Sequence, residues 1–212
     1  MTVTEVLAGA RLKSPIPEEL AGTAVRGLEY DSRKIGEDFL FFAFPGAKTD
    51  GRAFAQSAIA AGALAVVSEL PPPDGFRGAW IEVAHGRETL SLAVRNFYGK
   101  PDENLFLTGV TGTNGKTTTS YLLDSILRAA GQTTALIGTI EYQLAGQPLK
   151  AVNTTPDSLD LFRIFSELEK KGGSHVTMEV SSHALALKRV YGIRFHTAVF
   201  TNLTRDHRDL HR

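Results

Sequence analysis

The run Gly109-Val110-Thr111-Gly112-Thr113-Asn114-Gly115-Lys116-Thr117-Thr118 limits what this chain can fold into more than any other stretch. Residues 104–108 before it read as a buried strand, and residues 119–130 after it as a helix with Tyr121, Leu122, Ile126 and Ala129 on one face. A strand, a glycine-rich loop and a helix in that order form a phosphate-binding loop. The glycines let successive N–H groups turn into one concavity, the helix N-terminus adds positive dipole, and Lys116 reaches the outer phosphates. Thr117 then offers a hydroxyl to magnesium. The common pattern has its first glycine where this chain has Val110, with Gly109 one residue earlier and Gly112 inside the loop, so the loop is a variant. A plain Gly/Thr turn would need no lysine at the helix start, and nucleotide binding is therefore the working expectation.

The rest of the chain divides around this loop. Residues 39–44 are a continuous apolar run ending at Pro45-Gly46, residues 50–61 carry a helical pattern stopped by Gly62, and residues 63–67 are a second apolar run. That is a βαβ pattern. Residues 79–84 read as a strand and 87–97 as a helix with Leu90, Ala93, Val94 and Phe97 inward, and Gly99-Lys100-Pro101-Asp102 marks the boundary. Beyond the loop, 133–140, 175–180 and 197–203 read as strands, 141–148 as a polar excursion, and 156–171 as a helix burying Leu161, Phe162, Phe165 and Leu168. Alternating helices and strands predict an α/β fold: a domain over 1–100, then a P-loop ATPase-type, mostly parallel sheet domain over 101–212. Four strands are few for such a sheet and nothing closes it before Arg212, so the second domain is expected to be truncated.

Lys plus Arg and Asp plus Glu stand at 23 each, so no general basic field draws nucleic acid or an anionic membrane. Cysteine is absent, which removes disulfides, thiolate nucleophiles and thiolate metal sites and fits a reducing compartment. Residues 1–15 lack the apolar stretch of a signal peptide, and 53–67 are too short and interrupted to span a bilayer. A cytoplasmic monomer that meets neither nucleic acid nor membrane is the expectation.

Several polar groups carry two readings each. Glu179 ends a strand, where it either caps or decorates the surface, or holds magnesium beside Thr117. The segment Thr201-Asn202-Leu203-Thr204-Arg205-Asp206-His207-Arg208-Asp209-Leu210-His211 is either a metal or phosphate site or a solvated turn. In Asn153-Thr154-Thr155-Pro156-Asp157 the local reading is helix capping by Thr155. Ser32 and Arg33 beside Tyr30 either hold a diphosphate or decorate a loop.

The loop, Asn153-Thr154-Thr155-Pro156, Met178-Glu179-Val180-Ser181-Ser182-His183-Ala184-Leu185 and Phe200 to His207 with Asp209 and His211 together resemble the Mur ligase family, from about Asp31 to Arg212. They are most similar to the branch that adds the third peptide residue of peptidoglycan. The resemblance implies a ligase that uses ATP to phosphorylate a carboxylate of UDP-N-acetylmuramoyl-L-alanyl-D-glutamate, so that the amine of a diamino acid displaces phosphate to form an amide. It implies ATP on Gly112 to Thr118, with Lys116, Glu179 and His207 catalytic. One Mg2+ falls to Thr117 and Glu179 and a second to His207. It assigns Tyr30, Ser32, Ala47, Lys48 and Thr49 to the uridine end, in an N-terminal UDP-substrate domain. Asn153, Thr154, Thr155, Ser181 and Arg189 take the rest of that substrate. Leu187 stands where the family pattern has a glutamine. The family's carbamylated lysine and C-terminal amino-acid-selecting domain lie outside this sequence, so binding without turnover is expected of it. A folylpolyglutamate synthase-type ligase and a bare nucleotide- or UDP-sugar-binding module are the alternatives; the first typically has Gly-Lys-Gly-Ser where this chain has Gly115-Lys116-Thr117-Thr118.

Overall fold

The structure, a computed structural model, describes residues 1–45, 50–151 and 153–204. These form two compact units, Met1–Phe97 and the chain from Tyr98 onward.

The first unit opens with α1 (Val3–Val6), started by a reciprocal Thr2–Glu5 capping box and burying Val3 and Val6, followed by α2 (Glu18–Ala21). Its sheet is β1 (Gly27–Glu29), β2 (Phe39–Phe42), β3 (Ala63–Ser68) and β4 (Trp80–Glu82), side by side in that order and parallel throughout. Between β2 and β3 lies α3 (Ala55–Ala60), preceded by a 3-10 turn over Gly51–Phe54. Parallel strands covered on both faces are apolar nearly throughout, which is why Phe39-Leu40-Phe41-Phe42 and Ala63 to Val67 were readable as strands. β1 escapes that reading, because its third residue is the buried Glu29, whose carboxylate accepts the N–H groups of Tyr30 and Asp31. α4 (Gly86–Phe97) buries Leu90, Ala93 and Val94, and Glu69 Oε2 accepts the Gly86 N–H at its start, 2.7 Å away.

The second unit is built on β5 (Phe106–Thr111), which runs into the glycine-rich loop and α5 (Lys116–Ala129). There follow β6 (Thr134–Ile137), β7 (Tyr142–Leu144), β8 (Gln147–Leu149), α6 (Ser158–Lys170), β9 (His175–Glu179), α7 (Ser182–Ala186) and β10 (Thr197–Phe200). The sheet order among the described residues is β10-β5-β9-β6-β7-β8, parallel from β10 to β6 and antiparallel across the β7–β8 hairpin. The α/β class and the mostly parallel sheet are as the sequence led us to expect. The strand count is not: the described residues of this unit carry six strands, and the polar excursion after β6 is a hairpin. Its Gln147-Pro148-Leu149 strand is exposed along its length, so it lacks the apolar alternation that marks a strand in sequence.

α6 buries Leu161, Phe162, Phe165 and Leu168 completely, as its periodicity required. α5 turns the other way: Leu122 is 60% and Ile126 64% exposed, while Ser120 and Asp124 are buried. Its phase is set at the first turn, where Thr117 faces Glu179, and 100° per residue carries Ser120 and Asp124 to the same side. There the Thr134 hydroxyl donates to Asp124 at 2.6 Å. No helix among the described residues is long and apolar enough to cross a membrane.

The β7–β8 connection is a two-residue turn, Ala145-Gly146, with both residues at positive φ, +49° and +79°. That is the backbone of a type I′ turn, which favours Asn-Gly because an alanine Cβ crowds the left-handed conformation. Ala145→Asn is therefore expected to stabilise the chain by about 0.5–1 kcal/mol in urea unfolding. An unchanged or lowered midpoint would show that this turn carries no such strain.

Candidate active site

The loop after β5 bends at Gly112 (φ +129°) and Gly115 (φ +86°), where a side chain is disfavoured. Gly115 is the N-cap of α5 and offers no capping side chain, so the first N–H groups of a fourteen-residue helix are left for an incoming anion. Lys116 lies back over the loop. Its Nζ donates to the carbonyls of Gly112 at 2.7 Å and Thr113 at 3.0 Å. A cleft of about 290 Å³ runs alongside, lined by Gly112, Thr113, Lys116, Ser181 and Ser182 with Leu185, Phe200 and Leu203 as an apolar wall.

Glu179, the last residue of β9, is 1% exposed and so is no surface charge. In the first turn of the P-loop helix, the Thr117 hydroxyl donates to Oε2 at 3.0 Å. Just past β6, Thr139 donates its N–H to Oε1 at 2.9 Å and its hydroxyl to Oε2 at 3.2 Å. A buried carboxylate is costly unless donors surround it, and these donors together with the α5 N-terminus meet that demand. Gly138 is required at the end of β6, since an added Cβ would collide with Glu179 Oε1. Tyr121, one turn beyond Thr117, has its phenol pKa raised by burial first and then by Glu141 and Glu179, so it stays neutral in this acidic surround.

A second cleft, of about 320 Å³, is lined by Asn153, Thr154, Thr155, Ser181, Ser182, His183 and Arg189 and shares Ser181 and Ser182 with the first. All five residues that the resemblance assigned to this part of the substrate thus meet in one place. Their access differs. Thr155 is 1% exposed, its hydroxyl donating to the Glu179 carbonyl at 2.8 Å and accepting the Ser181 N–H at 3.1 Å. The expectation that Thr155 caps the following helix is overturned: the N-cap of α6 is Asp157, with no side-chain capping bond, because Thr155 is drawn instead to the end of β9. Ser181 caps α7 through the Ala184 N–H. Arg189 NH1 donates to the Thr155 carbonyl at 2.8 Å, and Nε lies 3.2 Å from Asp157 Oδ1, an ion pair whose N–H is not aligned for a hydrogen bond. Tyr142, which the sequence did not single out, holds the approach to this cleft: its hydroxyl donates to the Asn153 carbonyl and accepts the Asn153 N–H.

In the first unit Ser32 opens a 3-10 turn capped by Asp31. The Arg33 guanidinium is committed to Asp31, at 2.9 and 2.8 Å, and holds that carboxyl down at about 2. A depressed carboxyl pKa contributes stability above its unfolded value, and that contribution is lost as pH falls toward 2. Tyr30 lies near Phe44, with ring centroids 6.2 Å apart. Ala47, Lys48, Thr49 and His207 lie outside the described residues, as do Asp206, Asp209 and His211. Among the described residues no three His, Cys, Asp or Glu side chains cluster as a metal site.

Residues 110–212 match the family model of the Mur ligase middle domain, and residues 24–98 that of the Mur ligase family, catalytic domain. The chain is 65% identical over 212 residues to the UDP-N-acetylmuramoyl-L-alanyl-D-glutamate--2,6-diaminopimelate ligase of Solibacter usitatus, covering 100% of this chain and 43% of that protein. The protein of the same name from Geobacter metallireducens is 44% identical over 201 residues, covering 92% of this chain and 39% of its own length. The chain thus spans less than half the length of these relatives. A solved structure of a ligase of that name superposes with a TM-score of 0.77 at 28% identity, over 98% of this chain and 42% of the other. A MurF structure from Acinetobacter baumannii shares the fold at 21% identity and a TM-score of 0.62, over 98% of this chain and 42% of that one.

The loop geometry makes one substitution diagnostic. A Cβ on Gly112 would collide with the Thr201 hydroxyl and lie 2.9 Å from the Asn202 carbonyl, at a φ that L-residues rarely adopt. Gly112→Ala is expected to cost about 2 kcal/mol or more in urea unfolding. Parent-like stability would mean that the loop does not need this backbone.

Proposed function

This chain belongs to the Mur ligase family, and from that membership we propose that it forms the nucleotide- and UDP-substrate-binding part of an ATP-dependent ligase. The reaction joins 2,6-diaminopimelate to UDP-N-acetylmuramoyl-L-alanyl-D-glutamate in cytoplasmic peptidoglycan synthesis. The names of the relatives support the choice of diaminopimelate. The observation that carries the reading is the buried Glu179 carboxylate, 3.0 Å from the Thr117 hydroxyl at the head of the P-loop helix, with a polar cleft directly beside it.

Bound ATP, with magnesium, supplies the phosphoryl group that activates a substrate carboxylate for attack by an amine. The chain's part is to position and to balance charge, which is most of what phosphoryl transfer asks of a protein. Lys116 exchanges the carbonyls of Gly112 and Thr113 for phosphate oxygens, and the free N–H groups at the start of α5 face the same charge. Thr117 and Glu179 present oxygen atoms of the kind magnesium prefers and would hold the ion beside the phosphates. Asn153, Thr154, Ser181 and Arg189 line the adjoining cleft and suit the carboxylates and amides of a peptide. Thr155, buried and satisfied internally, supports these contacts by fixing the turn between Glu179 and Ser181. In the first unit Tyr30 and Ser32, with Ala47, Lys48 and Thr49, are assigned to the uridine end, and His207 to a second magnesium.

Calorimetry tests the two clefts separately. Lys116→Ala is expected to weaken Mg-ATP binding by about 1.5–3 kcal/mol, the scale of a charged hydrogen bond, whereas Arg189→Ala should leave ATP affinity intact and weaken the UDP-muramoyl-dipeptide. Equal ATP affinity for the parent and Lys116→Ala would remove the loop from the nucleotide site. In the same titrations, Glu179→Gln should make nucleotide affinity nearly independent of magnesium, and an undiminished magnesium dependence would take Glu179 out of the metal site.

A further inference from the structure

We infer that Asn202 is a positioning residue for the nucleotide loop, a role that deepens the nucleotide-site reading above. Asn202 lies two residues beyond the end of β10, in the described part of a segment whose sequence reads as a metal or phosphate site or a solvated turn. Its side-chain amide pairs with both backbone groups of Asn114: Oδ1 accepts the Asn114 N–H at 3.1 Å, and Nδ2 donates to the Asn114 carbonyl at 3.0 Å. Its own carbonyl accepts the Thr113 N–H at 3.0 Å. One residue therefore satisfies three polar groups of the loop.

The neighbours tighten this clasp. The Thr201 hydroxyl donates to the Asn114 carbonyl at 2.7 Å, and the Thr204 N–H donates to Thr113 Oγ1 at 3.0 Å. The absence of a side chain at Gly112 lets the Asn202 backbone approach. β10 and β5 are parallel neighbours, in register from Thr197↔Thr108 to Phe200↔Thr111, and Thr201 N–H continues the ladder to the Thr111 carbonyl. The clasp is thus an extension of the sheet onto the loop.

The consequence is selective. With the N–H groups of Thr113 and Asn114 held by Asn202, the loop crest is fixed while the N–H groups opening α5 stay available. Two consecutive glycine-flanked residues would otherwise have to be ordered by the nucleotide itself, at a cost in affinity. Asn202 holds the loop in its curved form beforehand.

The test combines residue-resolved amide exchange of the free 212-residue chain with Mg-ATP titration. Asn202→Ala is expected to speed exchange of the Asn114 amide at least tenfold and to weaken Mg-ATP binding about tenfold, with the amides of β9 and α6 unchanged. Asn202→Asp keeps the acceptor for that amide, so its Asn114 exchange should stay close to the parent's, and it provides the comparison if the alanine variant does not fold. Slow Asn114 exchange in Asn202→Ala, or exchange accelerated equally across the sheet, would overturn the assignment; so would fast exchange with undiminished ATP affinity. A parent chain that binds no Mg-ATP would refute the nucleotide reading instead, while the amide exchange still decides whether Asn202 holds the loop.

Discussion

The second unit is organised around one buried charge. The Glu179 carboxylate receives donors from α5 and from the segment after β6, and its backbone carbonyl takes the hydroxyl of Thr155 from the segment before α6. Three parts of the chain distant in sequence are joined at the end of one central strand. A buried carboxylate there is tolerated because Thr117 and Thr139 bring donors to both of its oxygens. The same demand explains the glycine at 138 and the rotation of α5 that turns Thr117, Ser120 and Asp124 inward and leaves Leu122 and Ile126 outside.

The two clefts follow from this arrangement. β9 ends at Glu179, and α7 begins three residues later with Ser181 as its cap, so Ser181 and Ser182 face both the P-loop and the cleft of Asn153, Thr154 and Arg189. The carboxyl ends of parallel strands gather functional groups in this way because their loops all open on one side of the sheet. Arg189 reaches the cleft through a tight helix end. Lys188 adopts a left-handed φ of +58°, and the Arg189 N–H returns to the Ala184 carbonyl, so a non-glycine residue accepts strain where the guanidinium is aimed.

Polar groups that look alike in sequence divide in the structure into those that support and those that remain available. Thr155 and Asn202 spend their side chains on the backbone of neighbouring segments. Asn153, Thr154 and Ser182 line open space beside them. Arg33, which by composition alone suits a phosphate, is paired with Asp31 two residues away.

By itself the sequence determined what is local or strongly periodic. The P-loop announces its strand and helix because its glycines, lysine and threonine have one combined physical use, and α6 announces its buried face because four large apolar side chains repeat at helical spacing. The parallel α/β architecture follows from apolar runs alternating with helical ones. Only the tertiary structure decided the rest. The β7–β8 hairpin is legible only through its pairing with β6, since its polar, exposed outer strand has no apolar pattern of its own. The phase of α5 depends on Glu179, sixty-two residues away from Thr117, and the duties of Thr155 and Asn202 depend on partners tens of residues distant. A hydrogen bond between remote segments leaves no period in the chain, and so the groups that fix this site are visible only once the sheet has brought them together.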